Sequence, residues 1–163
     1  MNAELARIGS ELNLSAPESR ELALRFRLAC AKRVEHLLEE PEVLAHLQVL
    51  DRYVTGTSSR ELLDIAAVAA ARLANQHRGS KSIDGCGHAA VSATYGVSKA
   101  LAGKALEAAE YCAYAAVYAA GGYSAAAERE AFEPEFTWQV GCLEALAGEV
   151  HRNFARLPAQ SDA

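Results

Sequence analysis

The apolar positions of this chain recur every three or four residues, and short polar breaks separate the stretches in which they do so. Leu22, Phe26, Cys30 and Val34 form the clearest stripe. This spacing is the period of one face of an α-helix, and no stretch shows the alternation typical of a strand. It predicts helices over residues 2–13, 17–40, 41–55, 59–79, 87–102, 104–120, 124–132 and 134–154. Because the connections are short, we expect an all-α fold, a compact bundle of six to eight mostly antiparallel helices.

Three features set the predicted helix ends. Pro41 begins a helix, and it restricts the residue before it, so the preceding helix should stop by Glu40. The sequence Ser-Ser-Arg-Glu at 58–61 resembles a capping box at the start of the helix over 59–79. Gly121 and Gly122 should end the helix that begins near Lys104. The apolar side of the helix over 59–79 is predicted to comprise Leu62, Ile65, Ala66, Ala69 and Leu73.

Residues 85–122 are dense in alanine and also contain glycine, serine and threonine. Small side chains let helices approach closely, so we expect this stretch to form a helical hairpin that turns at Gly103. Tyr111, Tyr114 and Tyr118 share one face of its second helix. That spacing favours packing against the core, with a groove for a partner as the alternative.

The length of 163 residues suits one domain, predicted over residues 1–157, with a flexible tail at 158–163. The net charge is −5, which argues against binding to nucleic acid and favours a basic partner. No apolar run has the length of a membrane span, and the opening residues lack the apolar core of a signal peptide. We therefore expect a cytoplasmic protein whose four cysteines stay reduced.

Cys86 and His88 are the only closely spaced pair of residues that could carry chemistry. They could contribute to a metal site or to a nucleophilic thiol, but a structural zinc site needs a second pair of ligands. A cysteine and a histidine packed at a helix start are the simpler interpretation. We expect no catalytic site, cofactor or metal, and keep a helical-bundle enzyme or metal-binding protein using Cys86 and His88 as an alternative.

An acidic stretch near the C-terminus is the main candidate for a binding surface. Carboxylates beside an aromatic residue can steer and then anchor a basic partner. The predicted partner-binding residues are Glu128, Glu130, Glu133, Glu135 and Trp138. The alternative is an ordinary solvated helix face with Trp138 in the core.

Three segments together resemble the bacterial immunity proteins of the Imm-5-like family. They comprise residues 28–38 with 50–52, the alanine-rich 65–75, and 87–94 followed by the alanine helices and 136–139. The resemblance covers roughly residues 20–147. It implies a binding protein and not an enzyme, one that neutralises a protein toxin by covering the toxin's active site. A structural homo-oligomer with alanine faces between its subunits is a further alternative.

Overall fold

The structure, a computed structural model, describes residues 2–77 and 87–156, except for the side chains of residues 153–156. The α-helices within these residues are α1 (Ala3–Glu11), α2 (Arg20–Arg33), α3 (Pro41–Val54), α4 (Arg60–Gln76), α5 (Gly87–Leu101), α6 (Ala105–Ala125) and α7 (Glu133–Arg156). Short 3-10 turns occupy Pro17–Ser19, Glu35–Leu37 and Arg129–Phe132. The described ranges contain no strand, so the prediction of an all-α bundle is confirmed. The predicted tail at 158–163 lies outside them.

Helices α5 and α6 form the predicted hairpin and share the most extensive interface between helices. Their turn contains Gly103 at φ +83, a left-handed conformation that glycine adopts without strain. At Gly96 the two helices approach so closely that an added Cβ would lie 2.7 Å from the Cys112 Sγ. Small residues therefore do what the composition predicts, since they allow this close approach.

Helix α2 joins two parts of the core. Its buried Phe26 and Cys30 pack with residues of α1, α6 and α7. Its buried Leu28 and Ala31 pack with residues of α3, α4 and α5. The broad apolar arc of α2 is explained by this central position, because a helix buried on two sides needs apolar residues around most of its surface.

Two of the predicted helix ends are wrong in detail. Helix α2 stops at Arg33, and Glu40 is extended, as the following Pro41 requires. Gly122 leaves the helical conformation at φ 72 and ψ −170, yet a further turn carries α6 to Ala125. The helix predicted over 124–132 is therefore reduced to the end of α6 and the turn Arg129–Phe132.

The buried face of α4 also differs from the prediction. Leu63, Ala66, Ala70 and Ala74 are buried, whereas Leu62, Ile65 and Val68 are exposed. The alanines face inward because α5 packs closely on this side, and the larger residues are left on the outside. Neither α4 nor any other helix in the described part of the chain is long and apolar enough to cross a membrane.

Candidate functional site

The acidic residues predicted to bind a partner are placed in two different environments. Glu128, Glu130 and Glu133 are exposed, in and just after the turn that precedes α7. None of their carboxylates makes an ion pair or hydrogen bond with a described residue. Their charges are therefore uncompensated within residues 2–77 and 87–152.

Glu135 and Trp138 instead belong to an internal contact with α2. Glu135 is only 4% exposed, and its Oε2 accepts a hydrogen bond of 2.6 Å from the Arg33 Nε. The Arg33 guanidinium also lies over the Trp138 ring, 4.3 Å from the centroid, in a cation–π contact. The structure thus removes Glu135 from the exposed acidic set. A helical period places it a half-turn from Glu133, on the side that faces α2.

The exposed carboxylates border a groove of about 730 Å³ between α1, α6 and α7. Its aromatic residues are Tyr114, Phe132 and Phe136, which contact one another. The Tyr114 and Phe132 rings meet edge to face with centroids 5.0 Å apart, and Phe132 and Phe136 lie 5.4 Å apart. We call this the acidic groove. Its charged lining residues are Glu4, Glu110, Glu133 and Arg129.

Buried amides hold the walls of the acidic groove together. The Asn2 side chain accepts from the Leu5 N–H and so caps α1, while its Nδ2 donates to the Phe136 carbonyl at 3.1 Å. The fully buried Gln139 donates to the Ala109 carbonyl on α6 at 2.7 Å. These bonds join α1, α6 and α7. Sequence reasoning missed Asn2 and Gln139 because nothing local marks a polar residue as buried.

The predicted tyrosine stripe lies at the edge of the core, with all three side chains half-buried. Tyr111 stacks on Tyr95 with centroids 5.1 Å apart. Tyr114 lines the acidic groove. Both interpretations of the stripe therefore apply in part, since one of its tyrosines is available to a partner. Sequence spacing could have located this face but not its degree of burial.

Cys86 lies outside the described residues. His88 is exposed at the start of α5, and its ring lies 4.7 Å from Tyr123 and 5.4 Å from Tyr118 between centroids. In the ranges that the structure describes, no three His, Cys, Asp or Glu side chains are grouped as a metal site would require.

The described cysteine thiols are not activated. Burial raises the pKa of Cys30, Cys112 and Cys142 above the ordinary thiol value. Because the thiolate is the nucleophile, these groups are poorly reactive at neutral pH. Cys30 and Cys112 pack as small apolar residues in the core shared by α2, α6 and α7.

No protein family, curated protein or solved structure compared with this chain matches it. The functional argument therefore depends on the geometry above and on the segments that carry the resemblance.

Proposed function

We propose that this chain is a cytoplasmic protein-binding protein, not an enzyme, and that the acidic groove receives a basic surface of its partner. The observation that carries the proposal is the set of exposed, uncompensated carboxylates of Glu128, Glu130 and Glu133 beside an aromatic groove. Following the resemblance to the Imm-5-like immunity proteins, the partner is a bacterial toxin. The chain neutralises it by covering its active site.

The groove offers both attraction and an anchor. Uncompensated carboxylates attract a basic surface over a distance of about one Debye length, ~8–10 Å at physiological salt. A lysine or arginine that enters the groove then meets the face of Tyr114 and the apolar rings of Phe132 and Phe136. A cation over an aromatic ring contributes about 0.5–2 kcal/mol. Charge therefore brings the partner in, and the aromatic residues retain it.

The groove is also suited to binding because its walls are fixed in advance. Asn2 and Gln139 hold three helices through buried hydrogen bonds, so little backbone order remains to be gained on binding. A preformed site loses less conformational entropy when the partner docks. This supports binding by a rigid surface.

Charge reversal at the groove tests the proposal. The toxin encoded beside this chain is co-expressed with the wild type or with the double variant Glu130→Lys, Glu133→Lys. The matched control is Glu61→Lys, Glu144→Lys, which makes the same change in net charge at exposed positions outside the groove. We expect the wild type and the control to restore growth and the groove variant to fail.

Calorimetry with the purified toxin domain separates loss of binding from loss of folding. The groove variant should keep the wild-type helical content and bind at least about a hundredfold more weakly, the size of an interface hot spot. A wild-type protein that binds no toxin domain from its own locus at micromolar concentration overturns the toxin assignment. Equal affinity of both double variants overturns the assignment of the groove.

A structural homo-oligomer is a second candidate function, and one observation favours it. Leu62, Ile65 and Val68 form an exposed apolar stripe along the outer face of α4, with Val68 75% exposed. The stripe, and not the alanine faces, is the candidate contact, because the alanines at 66, 70 and 74 are buried within the chain. Light scattering of the wild type and of Val68→Lys tests it. A monomer at high concentration excludes this function.

A further inference from the structure

A second cavity, of about 900 Å³, opens where the connection from α1 to α2 meets the first turn of α4 and the turn from α5 to α6. Its cationic side chains converge from four separate elements. They are Arg20, Arg27, Arg60 and Lys104. Glu107 is the single acidic residue in its lining. We call this cavity the basic cleft.

Arg27 is the unusual member of this group. It is only 8% exposed, and its Nε is fully buried with no hydrogen-bond acceptor. No described residue forms an ion pair with its guanidinium. Burial, with repulsion from Arg60 and Arg20, lowers the pKa of Arg27 to about 10. A buried charge is normally paired, because its desolvation is otherwise uncompensated.

The other cations of the basic cleft do not all have internal partners. Arg60 pairs with Asp64 at 2.8 Å, and Lys104 pairs with Glu107 at 3.1 Å. Arg20 donates to the Tyr53 hydroxyl at 3.1 Å and meets no described carboxylate. Two guanidinium groups, those of Arg20 and Arg27, therefore remain without an anion in the described residues.

The N-terminus of α6 adds to the positive potential. Its cap residue, Lys104, makes no side-chain capping bond, so the amides of the first turn lack that partner. This turn lines the cleft, and the helix of 21 residues directs its positive dipole end there. The Arg27 Nη1 lies 2.9 Å from where a Cβ on Gly103 would stand, so the guanidinium sits against this same turn.

We propose that the basic cleft binds a small molecule carrying a phosphate group. Two unpaired guanidinium groups match the double negative charge of a phosphate monoester, and guanidinium geometry suits its oxygens. The uncapped first turn of α6 offers backbone N–H donors to the same group. Leu24, Leu63 and Leu101 complete the lining with an apolar surface for the organic part of the ligand. This site is separate from the acidic groove and does not depend on the function proposed there.

Thermal unfolding and calorimetry with inorganic phosphate and phenyl phosphate test the proposal, with sodium chloride used to hold ionic strength constant. Benzoate serves as the carboxylate of similar shape. We expect both phosphates to raise the melting temperature of the wild type and benzoate to leave it near the chloride value. The proposal is overturned if neither phosphate has an effect beyond that of chloride, or if benzoate stabilises the protein equally.

Arg27→Met removes the buried charge and keeps a long apolar side chain. It should weaken binding of phenyl phosphate about tenfold to a hundredfold, the usual factor for a charge-assisted pair. Arg72→Met is the matched control, because Arg72 is exposed on α4 and outside the cleft. Wild-type affinity in Arg27→Met contradicts the proposal.

A second readout does not depend on the buried variant folding well. Arg20→Met alters an exposed residue and should weaken phosphate binding severalfold. In the wild type, addition of phosphate should shift the backbone amide NMR signals of Ala105, Leu106 and Glu107 more than those of α3. Shifts confined to residues away from the α6 first turn place the anion elsewhere and overturn the assignment.

Discussion

The acidic groove and the basic cleft are both lined by α1 and α6, yet they hold their charges in opposite ways. The acidic groove uses the N-terminal end of α1 and the middle of α6, and its uncompensated carboxylates are exposed. The basic cleft uses the C-terminal half of α1 and the first turn of α6, and its central charge, Arg27, is buried.

This difference shows how much each charge says about a ligand. An exposed carboxylate is solvated, so Glu128, Glu130 and Glu133 are stable with or without a partner. A buried, unpaired guanidinium is unfavourable in the ligand-free protein, and a bound anion would remove that penalty. The acidic groove is therefore available to a partner, whereas the basic cleft is incomplete without its ligand.

The largest expected effect comes from replacing Arg27. Because an apolar side chain of similar length removes an unpaired buried charge, Arg27→Met should raise the free energy of unfolding of the ligand-free protein by about 1–3 kcal/mol. Denaturation in urea measures the change. Arg72→Met should stay within about 0.5 kcal/mol of the wild type. Destabilisation by Arg27→Met would show that the guanidinium has a stabilising partner and would remove the contrast between the two regions.

The same pair of proteins has a defined pH dependence. The pKa of Arg27 is lowered to about 10 in the folded state, so its penalty is present in full at neutral pH. As the pH rises through that value, the folded state releases the proton before the unfolded state does, and the penalty decreases. The stability advantage of Arg27→Met should therefore shrink above about pH 10, as urea denaturation at several pH values would measure. An advantage that grows with pH would contradict this cause.

The two regions differ equally in how far the sequence reveals them. The carboxylates of the acidic groove fall within residues 128–133 and are visible as a cluster. Arg20, Arg27, Arg60 and Lys104 are spread over 85 positions, and only the packing of α2, α4 and α6 brings them together. Sequence periodicity predicted the helices and the hairpin at Gly103, because those depend on local residues.

The burial of individual polar residues could not be predicted in this way. Glu133 and Glu135 are two positions apart and look equivalent in the sequence, yet one is exposed and the other pairs with Arg33. The α4 stripe was assigned to the wrong side for a related reason. Its face is chosen by how closely α5 can approach, and that is a property of the partner helix.

The next largest effect distinguishes these two glutamates. Glu135→Gln removes the charge that Arg33 pairs with inside the protein and should lower the free energy of unfolding by about 1–2 kcal/mol. Arg33 is itself 38% exposed, so the loss is smaller than for a fully buried pair. Glu133→Gln is the matched control and should change stability by less than about 0.5 kcal/mol. Equal effects in urea denaturation would place both glutamates in one environment.

A similar effect is expected at Gln139, which holds the wall of the acidic groove. Gln139→Leu leaves the Ala109 carbonyl without the side-chain amide that donates to it, at a cost of about 1–2 kcal/mol. Amide hydrogen exchange should also become faster in α1, because Asn2 loses its buried neighbour. Unchanged exchange in α1, with α3 as the internal reference, would show that the network does not fix the groove.

The smallest effect on stability is expected when the exposed carboxylates are neutralised together. The triple variant Glu128→Gln, Glu130→Gln, Glu133→Gln changes the net charge from −5 to −2, since three negative charges are removed. Each side chain is exposed and lacks an ion-pair partner among the described residues, so the free energy of unfolding should stay within about 0.5 kcal/mol per substitution. Binding of a lysine-rich peptide at low salt should nevertheless weaken, and its salt dependence should become shallower, because the attraction is electrostatic. A loss of stability without a loss of peptide binding would make these carboxylates structural and would remove the acidic groove as an interaction surface.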